Sequence, residues 1–103
     1  MRVFLTAIIL SLALAGSALA DAAAGKTLYM TKCKACHGPD GAGVAAIAKM
    51  KGVTMKALGS KEVQAKSDAQ LKKDSTAGVG KMAAVKITDA EAADVVAFIR
   101  TLK

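Results

Sequence analysis

Apolar residues recur at helical spacing in two stretches of the chain. In residues 22 to 36 they fall at i, i+3, i+4, i+8 and i+11, which predicts a helix with one buried side. These positions are Gly25, Leu28, Tyr29, Cys33 and Cys36. The second stretch runs from Thr88 nearly to the end of the chain and has a broad apolar face. That face consists of Ala92, Val95, Val96, Phe98, Ile99 and Leu102. After residue 20 no segment sustains alternation with period two, so the pattern predicts an all-α fold.

The segment between these helices contains turn residues and shorter helical patterns. Residues 38 to 43 hold three glycines and Pro39, which predicts a tight turn directly after the first helix. Short helical pieces are expected at residues 45 to 51 and 55 to 58. Ser67 with Gln70 matches a capping box for a helix that glycines end near Ala77, and Thr88 with Glu91 repeats that box before the last helix.

The first twenty residues have the features of an export signal. Arg2 supplies a positive charge, an apolar run follows, and Ala18-Leu19-Ala20 ends it with small residues at the positions that a signal peptidase recognises. The apolar run is shorter than the roughly 20 residues that span a bilayer, which favours cleavage over a membrane anchor. We therefore predict that residues 1–20 are a cleaved signal peptide and that residues 21–103 form one domain.

The charge and the size of that domain limit which cofactors and partners are expected. Without Arg2, 14 of the 15 basic residues remain against 8 acidic ones, so the mature polypeptide has a net charge of +6. A chain this short rarely builds a sufficient core without a disulfide, a metal or another stabilising group. Although the chain is basic, nucleic acid is not an expected partner, because the chain is predicted to be exported and shows no recognition motif.

Residues 33 to 37, Cys-Lys-Ala-Cys-His, form the covalent attachment pattern for c-type haem. Residues three apart lie on one face of a helical turn, so both sulfurs could add to the vinyl groups along one porphyrin edge. His37 would then coordinate the iron from the same side. A covalent haem would also be the stabilising group that a small domain requires.

The same residues allow three other interpretations. A thioredoxin-type thiol pair normally lies in a longer βαβ chain. A zinc site would need carboxylates to complete its ligand set, because the chain has two Cys and one His in total. A plain disulfide would suit an exported protein. The haem pattern explains more of the chain than any of these.

The order of these features resembles the class I c-type cytochromes, the small monohaem electron carriers of bacteria. The resemblance covers residues 21 to 103 and includes the helix entering the Cys-x-x-Cys-His motif, the Gly-Val-Gly-Lys-Met stretch of residues 78 to 82, and the capped last helix. It implies three to five helices wrapped around one covalent haem, with the first and last helices crossing. At this crossing the family has a glycine and aromatic residues, which Gly25, Tyr29 and Phe98 match.

The resemblance also implies a methionine as the second axial ligand, in a loop before the last helix. Met82 matches that position. Met30 lies one turn before Cys33, on the same helix as the attachment motif, so its sulfur would not reach the opposite haem face. Met50 and Met55 lie in the weakly patterned middle of the chain, where methionine commonly fills gaps in a core.

Two positions depart from the family pattern. Ala83 follows the candidate ligand where many members have proline, which predicts a more mobile loop. Asp74 and Ser75 stand where members usually have apolar residues. If the Asp74 carboxylate faces the haem edge, its negative charge should lower the reduction potential.

These features predict a periplasmic one-electron carrier, not an enzyme, with Cys33 and Cys36 attaching haem c and with His37 and Met82 ligating the iron. Electron transport in a respiratory chain is the expected role, either as a free monomer or as a subunit of one enzyme. Acidic redox proteins are the expected transient partners, attracted by Lys32, Lys34, Lys81 and Lys86. If Met82 does not ligate, the alternative is a five-coordinate haem c peroxidase or gas-binding protein.

Overall fold

The computed structural model describes residues 20–103, so the predicted signal peptide lies almost wholly outside the described residues. In that range the chain forms six α-helices and a final 3-10 turn, with no β-strand. The helices are α1 (Ala22–Lys32), α2 (Lys34–His37), α3 (Ala45–Lys51), α4 (Lys61–Gln64), α5 (Asp68–Ala77) and α6 (Asp89–Ile99), followed by the 3-10 turn Arg100–Leu102. The all-α prediction is confirmed, and α2 and α4 are single turns beyond the three to five helices expected. No helix among the described residues is long and apolar enough to cross a membrane.

Helices α1 and α6 cross in close contact, as the resemblance implied. A Cβ atom at Gly25 would overlap the backbone carbonyl of Asp94 and lie 2.9 Å from the backbone nitrogen of Val95. The rings of Tyr29 and Phe98 meet at a centroid distance of 5.0 Å and an interplanar angle of 54°. This tilted contact is one that aromatic pairs prefer, and it lies directly beside the glycine crossing.

Helix α6 begins with a complete capping box. The Thr88 side chain accepts a hydrogen bond from the Glu91 backbone nitrogen, and the Glu91 carboxylate accepts one from the Thr88 nitrogen. Five of the six residues of its predicted apolar face are buried, and the sixth, Leu102, is partly buried. The core cluster consists of Val63, Leu71, Val95, Val96 and Ile99, with Leu28, Leu58 and Ile87 packed against it.

The first helix differs from its prediction at one residue. We expected residues 22 to 36 to be continuous, but α1 ends at Lys32 and Cys33 separates it from α2. The nitrogens of Cys36 and His37 both donate to the Cys33 carbonyl, so a new turn starts there. The predicted turn after His37 is confirmed, with Gly38, Gly41 and Gly43 all at positive φ.

One helix predicted in the middle segment is absent. Residues 55 to 58 are not helical, because the Leu58 nitrogen donates to the carbonyl of Gly41 across the molecule instead of along its own segment. A helical turn forms later, at α4, where the Ser60 hydroxyl accepts from the nitrogen of Val63. The predicted α3 is confirmed at Ala45–Lys51.

Helix α5 starts at the predicted cap but with half of the predicted capping box. The Ser67 hydroxyl accepts from the Gln70 nitrogen. The Gln70 side chain does not return to Ser67 and instead donates to the carboxylate of Asp74 at 2.6 Å. After α5 the chain enters the Met82 loop, residues 78 to 87, in which the backbones of Val79 and Met82 pair in an isolated β-bridge.

Candidate functional site

Two adjoining cavities open beside the Cys-x-x-Cys-His segment. The lysine-rimmed cavity has a volume of about 350 Å³ and is lined by Cys33, Cys36, His37, Met82 and the lysines Lys32, Lys51 and Lys81, among others. The core-side cavity has a volume of about 340 Å³ and reaches inward to Tyr29, Leu71, Asp74, Val95 and Ile99. The two share Cys33, His37, Met55, Val79 and Met82, so they form one cleft. Its size falls within the range of roughly 300–1,000 Å³ that is usual for ligand and cofactor sites.

The cleft brings together all four residues that the sequence predicted as site residues. Cys33, Cys36, His37 and Met82 line the lysine-rimmed cavity together. Cys33 lies between α1 and α2, the turn of α2 carries Cys36 and His37, and the Met82 loop brings the fourth residue from a distant part of the chain.

The two cysteines are free thiols with intermediate exposure and are not joined by a disulfide. Burial, with the neighbouring charge of Cys36, raises the pKa of the Cys33 thiol, and the nearby Lys32 opposes this only in part. Active thiols of the thioredoxin type need a lowered pKa. The raised pKa of Cys33 therefore does not favour the thiol-redox interpretation.

His37 is held in place by the turn that follows it. Its backbone carbonyl accepts from the Gly43 nitrogen at 2.7 Å, and the hydroxyl of the buried Tyr29 donates to the next carbonyl, that of Gly38, at 2.6 Å. The imidazole nitrogen Nδ1 is buried and has no hydrogen-bond partner among the described residues. Burial also lowers the pKa of His37, which favours the neutral ring that binds a metal.

The four candidate methionines occupy different environments. Met30 is absent from the residues that line either cavity. Met50 does not fill a gap in the core as expected: it is 73% exposed, because α3 turns this side chain away from the core. Met55 and Met82 both line the two cavities, so the cleft contains two thioethers. From the sequence, Met55 was expected only to fill a gap in the core.

The Met82 loop is tied at several points although it lacks a proline after Met82. Met82 exchanges backbone hydrogen bonds with Val79 at 2.9 and 3.0 Å, and the Val85 nitrogen donates to the Ser75 carbonyl of α5 at 2.9 Å. The Lys81 ammonium donates to the Lys51 carbonyl at the end of α3, at 3.1 Å. These bonds hold the loop over the cleft, and the more mobile loop expected from Ala83 stays a prediction.

The predicted lysine ring is partly present at the cleft. Lys32 and Lys81 line the lysine-rimmed cavity, whereas Lys34 and Lys86 are exposed but do not line it. Lys51 joins the rim and was not predicted, because only the fold brings the end of α3 to this side. Within residues 20–103 no group of three or more His, Cys, Asp and Glu side chains could hold a metal ion by itself.

A family model described as cytochrome c matches residues 22–103. The chain belongs to the cytochrome c family. Its fold is similar to the solved structure of the KustC0563 c-type cytochrome, with a TM-score of 0.65 and 29% sequence identity over 77% of this chain and 96% of that one. No curated protein sequence matches the chain.

Members of the cytochrome c family carry haem c with its iron, and haem c is therefore the cofactor of this chain. The cleft fits such a group in three respects. It holds two thiols in Cys-x-x-Cys spacing, an imidazole with an unpaired buried nitrogen, and walls made largely of apolar side chains. The family's chemistry is haem-based electron transfer, and small members of it are typically carriers.

Proposed function

We propose that this cytochrome c is an exported, periplasmic one-electron carrier with His37 and Met82 as its axial iron ligands. One observation carries the proposal. Cys33, Cys36, His37 and Met82, which are up to 49 positions apart in the sequence, line a single cavity, and the buried His37 nitrogen Nδ1 has no hydrogen-bond partner among residues 20–103.

Each of these residues has a definite task. The sulfurs of Cys33 and Cys36 would hold the haem covalently, and the His37 imidazole and the Met82 thioether would bind its iron. When bound, the haem supplies an iron that gains and loses one electron. Thioether coordination favours the ferrous state relative to a second imidazole and so raises the reduction potential. Tyr29, Leu71 and Val95 in the cleft wall would keep water away from the site.

With both His37 and Met82 bound to the iron, no position on it would remain open for a substrate. A site whose ligands stay in place in both oxidation states needs little rearrangement, which is what electron transfer requires. We therefore propose a carrier rather than an enzyme. A peroxidase or gas-binding protein would instead need a five-coordinate iron, with Met82 unbound.

Charge supports a transient partner. The mature polypeptide is predicted to carry +6, and Lys32, Lys51 and Lys81 lie at one mouth of the cleft. A basic rim around an exposed cofactor attracts acidic redox proteins and gives a small, salt-sensitive interface. We propose that the protein acts in a respiratory chain as a monomer and does not bind nucleic acid.

A redox titration of the mature holoprotein with optical spectra tests the proposal. The ferric protein should show the weak charge-transfer band of methionine ligation, and a Met82→Ala variant should lose it. Met55→Ala is the sharpest comparison because Met55 lines the same cleft, and Met50→Ala is a matched surface control. Loss of the band in the Met55 variant alone would overturn the assignment of Met82. A wild-type protein without the band, whose ferrous form binds carbon monoxide readily, would favour the five-coordinate alternative.

A further inference from the structure

Asp74 is the one charged side chain that is buried in the described part of the chain. It lies on α5, one turn before the Met82 loop, and lines the core-side cavity together with His37 and Met82. A charge with little access to water is unfavourable unless it is paired and hydrogen-bonded. Its partners therefore decide what it does in the cleft.

Two side chains satisfy the Asp74 carboxylate. Lys66, which precedes α5, places its ammonium 3.1 Å from Oδ2, and the Gln70 amide donates to Oδ1 at 2.6 Å. Gln70 is neutral, so Lys66 supplies the compensating charge. The two charges are not equivalent, because the side chain of Asp74 is 12% exposed and that of Lys66 is 44% exposed.

The Asp74–Lys66 ion pair is not expected to add much to the stability of the fold. Replacing a partly buried ion pair with apolar side chains of similar size is often neutral or stabilising. Leu71 on the same helix is buried in the core, so this helix accommodates an apolar side chain close by. We therefore expect the carboxylate to act on the group that is bound in the cleft.

We propose that Asp74 and Lys66 form a charge pair that sets the reduction potential of the haem, a proposal that rests on the haem function of this cleft. The oxidised cofactor carries one more positive charge than the reduced one, so the Asp74 carboxylate stabilises the oxidised form and lowers the potential. Lys66 opposes this effect. Since Lys66 is more exposed, solvent and salt screen its charge more strongly than that of Asp74. The pair therefore still lowers the potential. Its effect is smaller than that of the unpaired carboxylate expected from the sequence.

The test is a double-mutant cycle on the reduction potential of the holoprotein. Asp74→Asn keeps the shape and the bond from Gln70 and should raise the potential. Lys66→Met keeps the aliphatic stem and should lower it. Each single change should alter the equilibrium constant for reduction on the order of tenfold, which is about 59 mV for a one-electron couple. The double variant should lie between the two single variants, close to wild type.

Lys72→Met is the matched control, because Lys72 lies on the same helix, pairs with the exposed Asp89 at 3.0 Å and does not line the cleft. Its potential should stay at the wild-type value. The inference is overturned if Asp74→Asn fails to raise the potential, if Lys66→Met fails to lower it, or if the double variant does not compensate.

The optical spectrum separates failure of the pair from failure of the proposed ligand set. If the methionine-ligation band persists in every variant while the potentials do not move, the pair has no tuning role and the carrier function stands. If the wild type lacks that band, the Met82 assignment fails, whereas the opposite shifts of the two single variants still test the pair. A variant that loses the band is replaced by Asp74→Ser or Lys66→Gln, for which the same two directions are required.

Discussion

The Lys81 ammonium nitrogen lies 3.1 Å from the backbone carbonyl oxygen of Lys51 and so links the Met82 loop to the end of α3. Lys51 is the last residue of that helix, where carbonyls lack helical partners and a positive charge is favourable. The bond spans thirty residues of sequence at one mouth of the cleft. This hydrogen bond anchors the loop, which has Ala83 and no proline after Met82.

Removing the Lys81 anchor should loosen Met82 without unfolding the protein. In a Lys81→Met holoprotein the methionine-ligation band should disappear at a lower guanidinium concentration than in wild type. The expected loss is about 0.5–1.5 kcal/mol, the usual net contribution of one hydrogen bond. Lys86→Met is the control, since Lys86 is exposed in the same loop and does not line the cleft. Equal midpoints for the two variants would show that the anchor does not hold the ligand.

A methyl group at the crossing of α1 and α6 should be severely destabilising. In Gly25→Ala the new Cβ atom would overlap the Asp94 carbonyl, so the two backbones would have to separate. We expect a loss of more than about 2 kcal/mol in the free energy of unfolding of the holoprotein. Helix propensity alone would give the opposite sign, because alanine favours a helix interior over glycine by about 0.5–1 kcal/mol. A stabilised variant would therefore disprove the close crossing.

Gly80→Ala serves as the comparison for that experiment. Its added Cβ atom meets nothing within 4 Å, and its only penalty is the left-handed backbone at φ 58°. That conformation costs an L-residue about 1–2 kcal/mol. The Gly25 variant should be the less stable of the two.

The start of the last helix could be predicted from sequence because it depends on local chemistry, since Thr88 and Glu91 cap a helix with their own side chains. The crossing of the first and last helices is long-range, and it was predicted only from the resemblance to the family, through Gly25, Tyr29 and Phe98. The conformation of residues 55 to 58 could not be predicted from local chemistry, because the Leu58 nitrogen donates to the carbonyl of Gly41 in a loop distant in the sequence.

The same distinction applies to the cleft. Spacing alone placed Cys33, Cys36 and His37 together, since they lie within one turn. The surroundings of Asp74 depend on where the chain brings Lys66, and the exposure of Met50 depends on how α3 is rotated. Neither follows from a local pattern. The roles of the site residues in haem binding stay predictions until the ligand experiment is done.

Asp94 makes a second contact that bears on the predicted export signal. Its carboxylate accepts from the Asp21 backbone nitrogen at 2.8 Å. Cleavage after Ala20 would turn that nitrogen into a charged amino terminus beside Asp94. In the mature protein Asp94→Asn should then cost up to about 1 kcal/mol of stability, as exposed ion pairs do. In a protein that keeps a few residues before Asp21 the same change should cost less, and equal losses in both would contradict the ion pair.

The Tyr29 hydroxyl should contribute to stability through its bond to the Gly38 carbonyl. Tyr29 is fully buried, and Tyr29→Phe would keep its ring contact with Phe98 but leave that carbonyl with only the longer bond from the Gly41 nitrogen, at 3.3 Å. We expect a loss of about 0.5–1.5 kcal/mol at neutral pH, measured by denaturant unfolding of the holoprotein. Phe98→Leu is a useful comparison, since it disturbs the ring contact and spares the hydrogen bond. A Tyr29→Phe variant as stable as wild type would show that the buried bond adds nothing.

Tyr29 should also make the fold sensitive to alkaline pH. Burial, followed by the charges of Cys33 and Asp40, raises the pKa of Tyr29 from its ordinary value of 10.0 to about 12. Haem attachment would remove the charge of the Cys33 thiolate, but burial, the largest cause of the raised pKa, remains.

Below pH 10 Tyr29 keeps its proton in both the folded and the unfolded chain, and its contribution to stability is fully present. Between pH 10 and 12 the unfolded chain loses that proton first, so up to about 2–3 kcal/mol of stability is lost. All other side chains are shared with Tyr29→Phe, so the difference in unfolding free energy between wild type and variant isolates Tyr29. As the pH rises from 10 to 12, the unfolding free energy of wild type should fall relative to that of Tyr29→Phe. A constant difference would mean that the hydroxyl has the same pKa in the folded and the unfolded chain.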